Sequence, residues 1–452
     1  MAGGVASRLL SPSTKPRPSR PILGIPSATP PATRHSPLGA LRVVGHVLPM
    51  PDASPEKPAI QSLDLAEIEA ALAARGQPKY RAAQVLRWLY EKRVTGFSEM
   101  TDLPAALRAD LAEAFTFLRL ETLRVLGSED TTRKYLFRLP PVARSGKNVQ
   151  RPTSNVQLPM SDANRPTAND EPASLDVESS TLDVGRSDLI ETVLIPASPA
   201  LYGETSDRRT LCVSTQVGCA YGCKFCASGL DGFSRNLSPG EIAGQLIEAE
   251  RLSGERVSNL VFMGMGEPLA NFANLMRAID IINSRWGLGL GARHITVSTS
   301  GLAPQIRQLA DQPRQIRLAI SLHGATDEVR SQIMPVNRKY PLAELLDACA
   351  YHASKKKQHI TFEYILIEGI NDEPAHAADL ARVAKLVRAK VNCIPYNKVE
   401  GLEWKRPDEA RQDAFMAVLD RARVPATIRR EKGHDIAAAC GQLRRQQIVT
   451  TA

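Results

Sequence analysis

Four of the seven cysteines in this chain fall in one stretch, LCVSTQVGCAYGCKFCASG at 211–229, and Cys219, Cys223 and Cys226 are spaced C-x3-C-x2-C. Three thiolates this close together can be wrapped by one loop around a single centre. Zinc is the bland alternative, but a structural zinc takes four protein ligands and no fourth donor lies nearby. A four-iron, four-sulfur cluster held by three cysteines has a different logic: one iron stays open for a ligand, and the thiolates tune an electron donor. An odd cysteine count with one dense group speaks against a secreted disulfide framework and for metal ligation in a reducing compartment, hence a cytoplasmic location.

Other residues carry chemistry outside the cluster motif. GMGEP at 264–268 follows a strand pattern; its glycines would let backbone approach a ligand, and Glu267 would supply an acceptor for an ammonium group. Cys212 precedes the triplet, and Cys440 stands far away in AAACGQL. Cys349 on the amphipathic stretch PLAELLDACAYHA and Cys393 inside a strand pattern read as buried structural thiols.

These residues need elements to hold them. The chain has 452 residues, 43% hydrophobic and 23% charged, with no apolar run long enough to span a membrane. The net charge of +9 favours a polyanionic partner without requiring one. Residues 1–58 are basic and rich in proline, and their first acidic residue is Asp52; a disordered tail is expected, with a transit peptide or an over-extended reading frame as alternatives. A small helical domain at 59–120 follows, built from a helix between Ser62 and Gly76, a second whose buried face holds Ala83, Leu86 and Tyr90, and a third near 103–117. Residues 121–140 form a linking strand region containing RKYLFRL, and polar 141–187 reads as a disordered insertion. The last domain, 188–445, opens with the strand 189–196. Strands at 259–266, 294–301, 315–323, 360–369, 390–397 and 425–431 then alternate with helices at 239–252, 270–283, 342–353, 374–388 and 407–422. This is the pattern of βαβ units around a parallel sheet, either doubly wound or a partial barrel, with functional groups at the C-terminal strand ends. Residues 446–452 are a tail.

The triplet with Phe225 before its last cysteine resembles the signature of the radical S-adenosylmethionine (SAM) superfamily, in which the open iron binds SAM. Further stretches narrow the likeness: VFMGMGEPLAN, ITVSTSG, LAISLHGATDEVR, MPVNRKYPL, FEYILIEGIND, IPYN and RREKGHDIAAACGQL. Together they resemble the radical SAM adenine C2-methyltransferases of ribosomal and transfer RNA, over about 63–443 with 141–187 interrupting. The resemblance implies an α/β fold, a partial (βα)6-type radical SAM barrel with a small N-terminal helical domain. It implies a cluster on Cys219, Cys223 and Cys226, and SAM contacts from Gly266, Glu267, Ser298, Ser321, Leu322, His323 and Asn397. Cys440 then matches a methyl-carrying cysteine and Cys212 the cysteine that resolves a protein–RNA adduct through a transient disulfide with it, while Glu191 matches the proton acceptor. Implied partners are 23S rRNA, tRNA and an electron-donating reductase; the helical domain, with Lys79, Arg81, Arg87, Lys92 and Arg93, would grip phosphates. Nothing calls for a membrane or for more than a monomer. Carbon-8 methylation of the same ribosomal adenosine and a non-enzymatic iron–sulfur or zinc RNA-binding protein are the alternatives. The chain departs from the family at 141–187 and in a long connection between Ile195 and Cys212.

Overall fold

The computed structural model describes residues 57–128, 131–141, 188–197, 206–230, 232–399, 401–429, 438 and 442. The expected tails, nearly all of the 141–187 insertion and Cys440 lie outside the described residues.

The chain begins with three helices, α1 (Leu65–Ala73), α2 (Tyr80–Leu86) and α3 (Ala105–Ala114). Asp64, not Ser62, caps α1, through a reciprocal box with Glu67 that satisfies two orphan amides. Ser62 is used elsewhere: its hydroxyl accepts from the Gly240 amide at 3.1 Å. Beyond Leu86 the second helix widens into a π-helical segment, Arg87–Glu91. The buried face is Ala82, Val85, Leu86, Leu89 and Tyr90, so the expected Ala83 is exposed. The buried positions 82, 85, 86, 89 and 90 keep the i, i+3, i+4, i+7, i+8 spacing of one helical stripe, and Ala83 lies one position off it.

Next come β1 (Glu121–Gly127), β2 (Arg133–Arg138), β3 (Leu189–Pro196) and β4 (Arg209–Cys212), then a hairpin of β5 (Gln216–Gly218) and β6 (Phe233–Asn236). From there helices and strands alternate: α4 (Pro239–Ser253), β7 (Asn259–Phe262), α5 (Phe272–Asn283), β8 (Ile295–Thr299), α6 (Ala303–Asp311) and β9 (Arg317–Ser321). They continue as α7 (Asp327–Ile333), α8 (Leu342–Lys356), β10 (Thr361–Leu366), α9 (Pro374–Leu386), β11 (Lys390–Pro395), α10 (Glu409–Arg421) and β12 (Ala426–Ile428). Every expected strand and helix of the C-terminal domain is present, and α6 and α7 are additions. None of the described helices is long and apolar enough to cross a membrane.

Ten strands form one sheet in the order β1-β2-β3-β4-β7-β8-β9-β10-β11-β12, parallel from β4 onward and antiparallel before it. That order never reverses. A doubly wound sheet needs a reversal to place helices on both faces, whereas right-handed crossovers advancing in one direction put them all on one face. The choice left open by the strand pattern therefore falls to the partial barrel.

Register divides the sheet into two faces, because neighbouring strands pair residues that point the same way. Leu211, Leu260, Phe262, Val297, Leu318, Ile320, Phe362, Tyr364, Val391 and Cys393 share one face and are buried. Lys134, Glu191, Cys212, Ser298, Ser321, Glu363 and Asn392 share the other. The apolar face meets the helices; the polar face lines the barrel interior.

Candidate active site

The cysteine loop leaves the β5–β6 hairpin at the C-terminal end of the parallel strands. Three contacts hold it: the Cys219 amide donates to the Gly232 carbonyl at 3.0 Å, the Lys224 amide to Ile333 at 3.0 Å, and the Phe225 ring meets His323 edge-on at 4.5 Å between centroids. Cys219, Cys223 and Cys226 are half-buried. Burial, then the charges of Cys226 and Glu267, push the Cys219 thiol up to about 12. Burial, then the charges of Cys226 and Cys219, push the Cys223 thiol up as well. Among the described residues no set of three cysteine, histidine or carboxylate side chains is closed to metal-ligand distance. The donor set nonetheless fits a cluster: three cysteine thiols on one loop, which a polycationic centre would deprotonate and draw together.

His323 ends β9 with a positive φ of 56°, a conformation uncommon for a residue with a Cβ. Its Nδ1 accepts from the Ile365 amide at 3.0 Å, which leaves the ring neutral with the proton on Nε2. Burial, assisted by Arg330, lowers its pKa to about 3. The side chain therefore joins β10 to the cysteine loop through Phe225. Leu322 is buried in the wall, and Arg330 ties this corner together by donating to the carbonyls of Leu322 at 3.1 Å and Ser300 at 2.5 Å and to Asn337 Oδ1 at 2.8 Å.

The GMGEP turn lies against the residues that follow β4. A Cβ on Gly266, whose φ is +95°, would stand 2.4 Å from the Gln216 side chain, and one on Gly264 would stand 2.7 Å from Ser214. These glycines are required by a close approach to the protein's own backbone. Gln216 accepts from the Glu267 amide at 2.8 Å and donates to Asn236 at 2.8 Å, joining the turn to the hairpin. Each Glu267 oxygen accepts one backbone amide, from Leu269 at 3.0 Å and Ser300 at 2.7 Å, leaving each a further lone pair. Burial raises its pKa, and the Ser300 amide opposes the rise.

Glu191 on β3 and the residues that follow Cys212 on β4 meet this turn. The Glu191 carbonyl accepts the Ser214 hydroxyl at 2.6 Å, that hydroxyl accepts from the Met265 amide at 2.8 Å, and the Glu191 amide lies 3.4 Å from Met265 Sδ. Cys212 is buried and paired in register with Val193, two residues beyond Glu191. The Glu191 carboxylate pairs with Lys134 Nζ at 3.0 Å, both side chains 2% exposed. Ser298 and Asn397 are buried at the ends of β8 and β11, and Ser321 lies beside Glu363 in register. The predicted residues thus gather at one end of one barrel, with Cys440 outside the described residues. Sequence reading missed Lys134, Ser214, Gln216, Arg330 and Glu363; only strand register could have shown that Lys134 and Glu363 point inward.

Of the basic residues expected to grip RNA, Lys79, Arg87 and Lys92 are exposed, whereas Arg93 is bonded to Glu250 of α4. Arg81 is half-buried, with a hydrogen bond to Gln84 at 2.8 Å.

Residues 213–381 match the sequence model of the radical SAM superfamily, and residues 60–116 that of the ribosomal RNA large subunit methyltransferase N-terminal domain. The chain is 50% identical over 390 residues to the "Probable dual-specificity RNA methyltransferase RlmN" of Akkermansia muciniphila, covering 86% of this chain and 96% of that protein. It is 46% identical over 401 residues to the "Probable dual-specificity RNA methyltransferase RlmN 3" of Opitutus terrae, covering 86% and 95%. The crystal structure of a radical SAM methyltransferase from Sphaerobacter thermophilus is similar with a TM-score of 0.71 at 39% identity, covering 86% of this chain and 100% of that one.

Proposed function

The chain belongs to the RlmN-like family of radical SAM dual-specificity RNA methyltransferases, and from that premise we propose that it methylates carbon 2 of an adenosine in 23S rRNA and of the adenosine adjoining the anticodon in tRNA. The observation that carries the reading is the meeting of Glu191, the residues after Cys212 and the GMGEP turn, which Gln216 joins to the hairpin that carries the cysteine loop.

Cys219, Cys223 and Cys226 would hold the iron–sulfur cluster, whose contribution is the electron that splits SAM and opens the route to a carbon-centred radical. The Gly266–Glu267 turn, Ser298, Ser321–His323 and Asn397 bind and orient SAM, with Glu267 accepting from its ammonium group. Adenine carbon 2 is electrophilic, so attack by the ring on a SAM methyl fails and the methyl must travel by another route. Cys440 first takes a methyl from one SAM as a thiolate nucleophile, releasing S-adenosylhomocysteine. After losing a hydrogen atom to the 5′-deoxyadenosyl fragment of a second SAM, that methyl carbon adds to carbon 2 and joins the protein to the RNA. The adduct then gives up an electron, which the oxidised iron–sulfur cluster would take back, and its carbon-2 proton passes to Glu191. Cys212 attacks the Cys440 sulfur and breaks its bond to the methylene carbon, which becomes the product methyl. The resulting disulfide is reopened by an electron-donating reductase. The target base must leave its stack to enter the barrel, while exposed Lys79, Arg87 and Lys92 hold phosphates. The enzyme acts as a cytoplasmic monomer.

The test is anaerobic incubation of reconstituted protein with methyl-labelled SAM, a reductant and 23S rRNA or tRNA, followed by nucleoside mass spectrometry. The expected product is 2-methyladenosine. 8-Methyladenosine would move the protein to the sister activity, and no methylated adenosine alongside SAM cleavage would refute the reading. Cys212→Ala should retain RNA covalently bound to the protein.

A further inference from the structure

Lys134 was not among the residues to which a role was assigned. It lies in β2, next to β3, and its side chain is 2% exposed. Lys134 pairs in register with Val193 and Glu191 with Leu136, so the two charges are diagonal neighbours on the barrel's inner face. Val193 in turn pairs with Cys212. Among the described residues of these strands, the ionisable side chains that share the face of Glu191 include Lys134 on β2 and the Cys212 thiol on β4.

A buried ion pair is a poor device for holding two strands together, because an apolar pair of similar size does so as well or better. Its presence at the barrel mouth fits a group that has to stay ionised. The carboxylates Glu267 and Glu363 in the same interior are both raised by burial, in Glu363 against the opposing charge of Arg429. A neutral Glu191 could not accept a proton from carbon 2.

We propose that Lys134 is a positioning residue for the proton-accepting step: its ammonium holds the Glu191 carboxylate ionised and oriented toward the bound adenine. This rests on the role given to Glu191 above. In the step itself the proton leaves carbon 2 for a Glu191 oxygen, and the electron pair of the broken bond remains in the ring. The protonated carboxyl then lies beside the Lys134 cation, which favours release of the proton to water and restores the base.

The test follows Lys134→Met, Lys134→Gln and Lys134→Arg in the cluster-loaded enzyme, with three readouts: 5′-deoxyadenosine formed, RNA covalently retained on the protein, and methylated nucleoside released. Lys134→Gln keeps a donor to Glu191 if the methionine variant fails to fold. The neutral variants should still cleave SAM and form the adduct, while product release falls about 100-fold, the lower end of what a positioned base contributes. Lys134→Arg should restore release. Release at the wild-type rate in Lys134→Gln overturns the proposal, as does a parallel fall in all three readouts that arginine does not rescue. If the wild-type enzyme itself yields no methylated adenosine, the proposed function fails rather than the role of Lys134.

Discussion

At the scale of single residues, the site is held by side chains that bond to backbone. Arg330, fully buried, donates to two carbonyls and one amide oxygen at the ends of β8 and β9. Replacing it with methionine leaves those acceptors unsatisfied, at about 1–3 kcal/mol each; SAM affinity measured by equilibrium binding should fall along with the melting temperature. Gly266 is a sharper case. Alanine there adopts a φ of +95° and meets Gln216 at 2.4 Å, so Gly266→Ala should lose at least about 1–3 kcal/mol from backbone strain alone in chemical denaturation. Equal stability of the variant would show that the turn can shift away from Gln216.

At the scale of elements, each helix of the barrel carries an apolar stripe toward the sheet, and α8 buries a titratable group in its own. His352 is 1% exposed, neither ring nitrogen has a hydrogen-bond partner, and burial followed by the Lys356 charge lowers its pKa from 6.5 to about 4. Between those two values the unfolded chain binds a proton that the folded chain does not, so stability falls as pH drops from 6.5 toward 4. His352→Leu should flatten that part of the stability–pH curve, measured by urea unfolding at several pH values; an unchanged slope would show that another group dominates.

The whole molecule joins its N-terminal helices to the barrel by specific contacts. Arg277 on α5 bonds to the Ser62 carbonyl at 2.9 Å and to Glu67, Arg93 bonds to Glu250, and a Cβ on Gly240 would come within 2.7 Å of Ser62 Oγ. Across the expected insertion, the Leu139 amide donates to the Asp188 carbonyl at 2.8 Å, so β2 and β3 meet as a hairpin whatever joins them. Replacing 142–187 with a short turn should therefore leave cluster loading, SAM cleavage and methylation within about twofold of wild type, since loop length adds only a slowly growing closure cost. Loss of methylation with the cluster intact would give the segment a role in RNA binding.

Much of this protein was legible in its sequence, for local reasons. The triplet C-x3-C-x2-C is ligand spacing along one loop, and the strands and helices from 259 onward follow from hydrophobic period and turn residues, which depend only on near neighbours. The α1 cap is Asp64, which bonds locally with Glu67, whereas Ser62 accepts from the Gly240 amide 178 residues away. The same distance rule explains what stayed hidden. That Gly264 and Gly266 make room for Ser214 and Gln216 and that Lys134 lies against Glu191 both depend on pairings between distant strands. A strand's own residues set which side chains alternate; only its register against its neighbours decides which of them face the same interior.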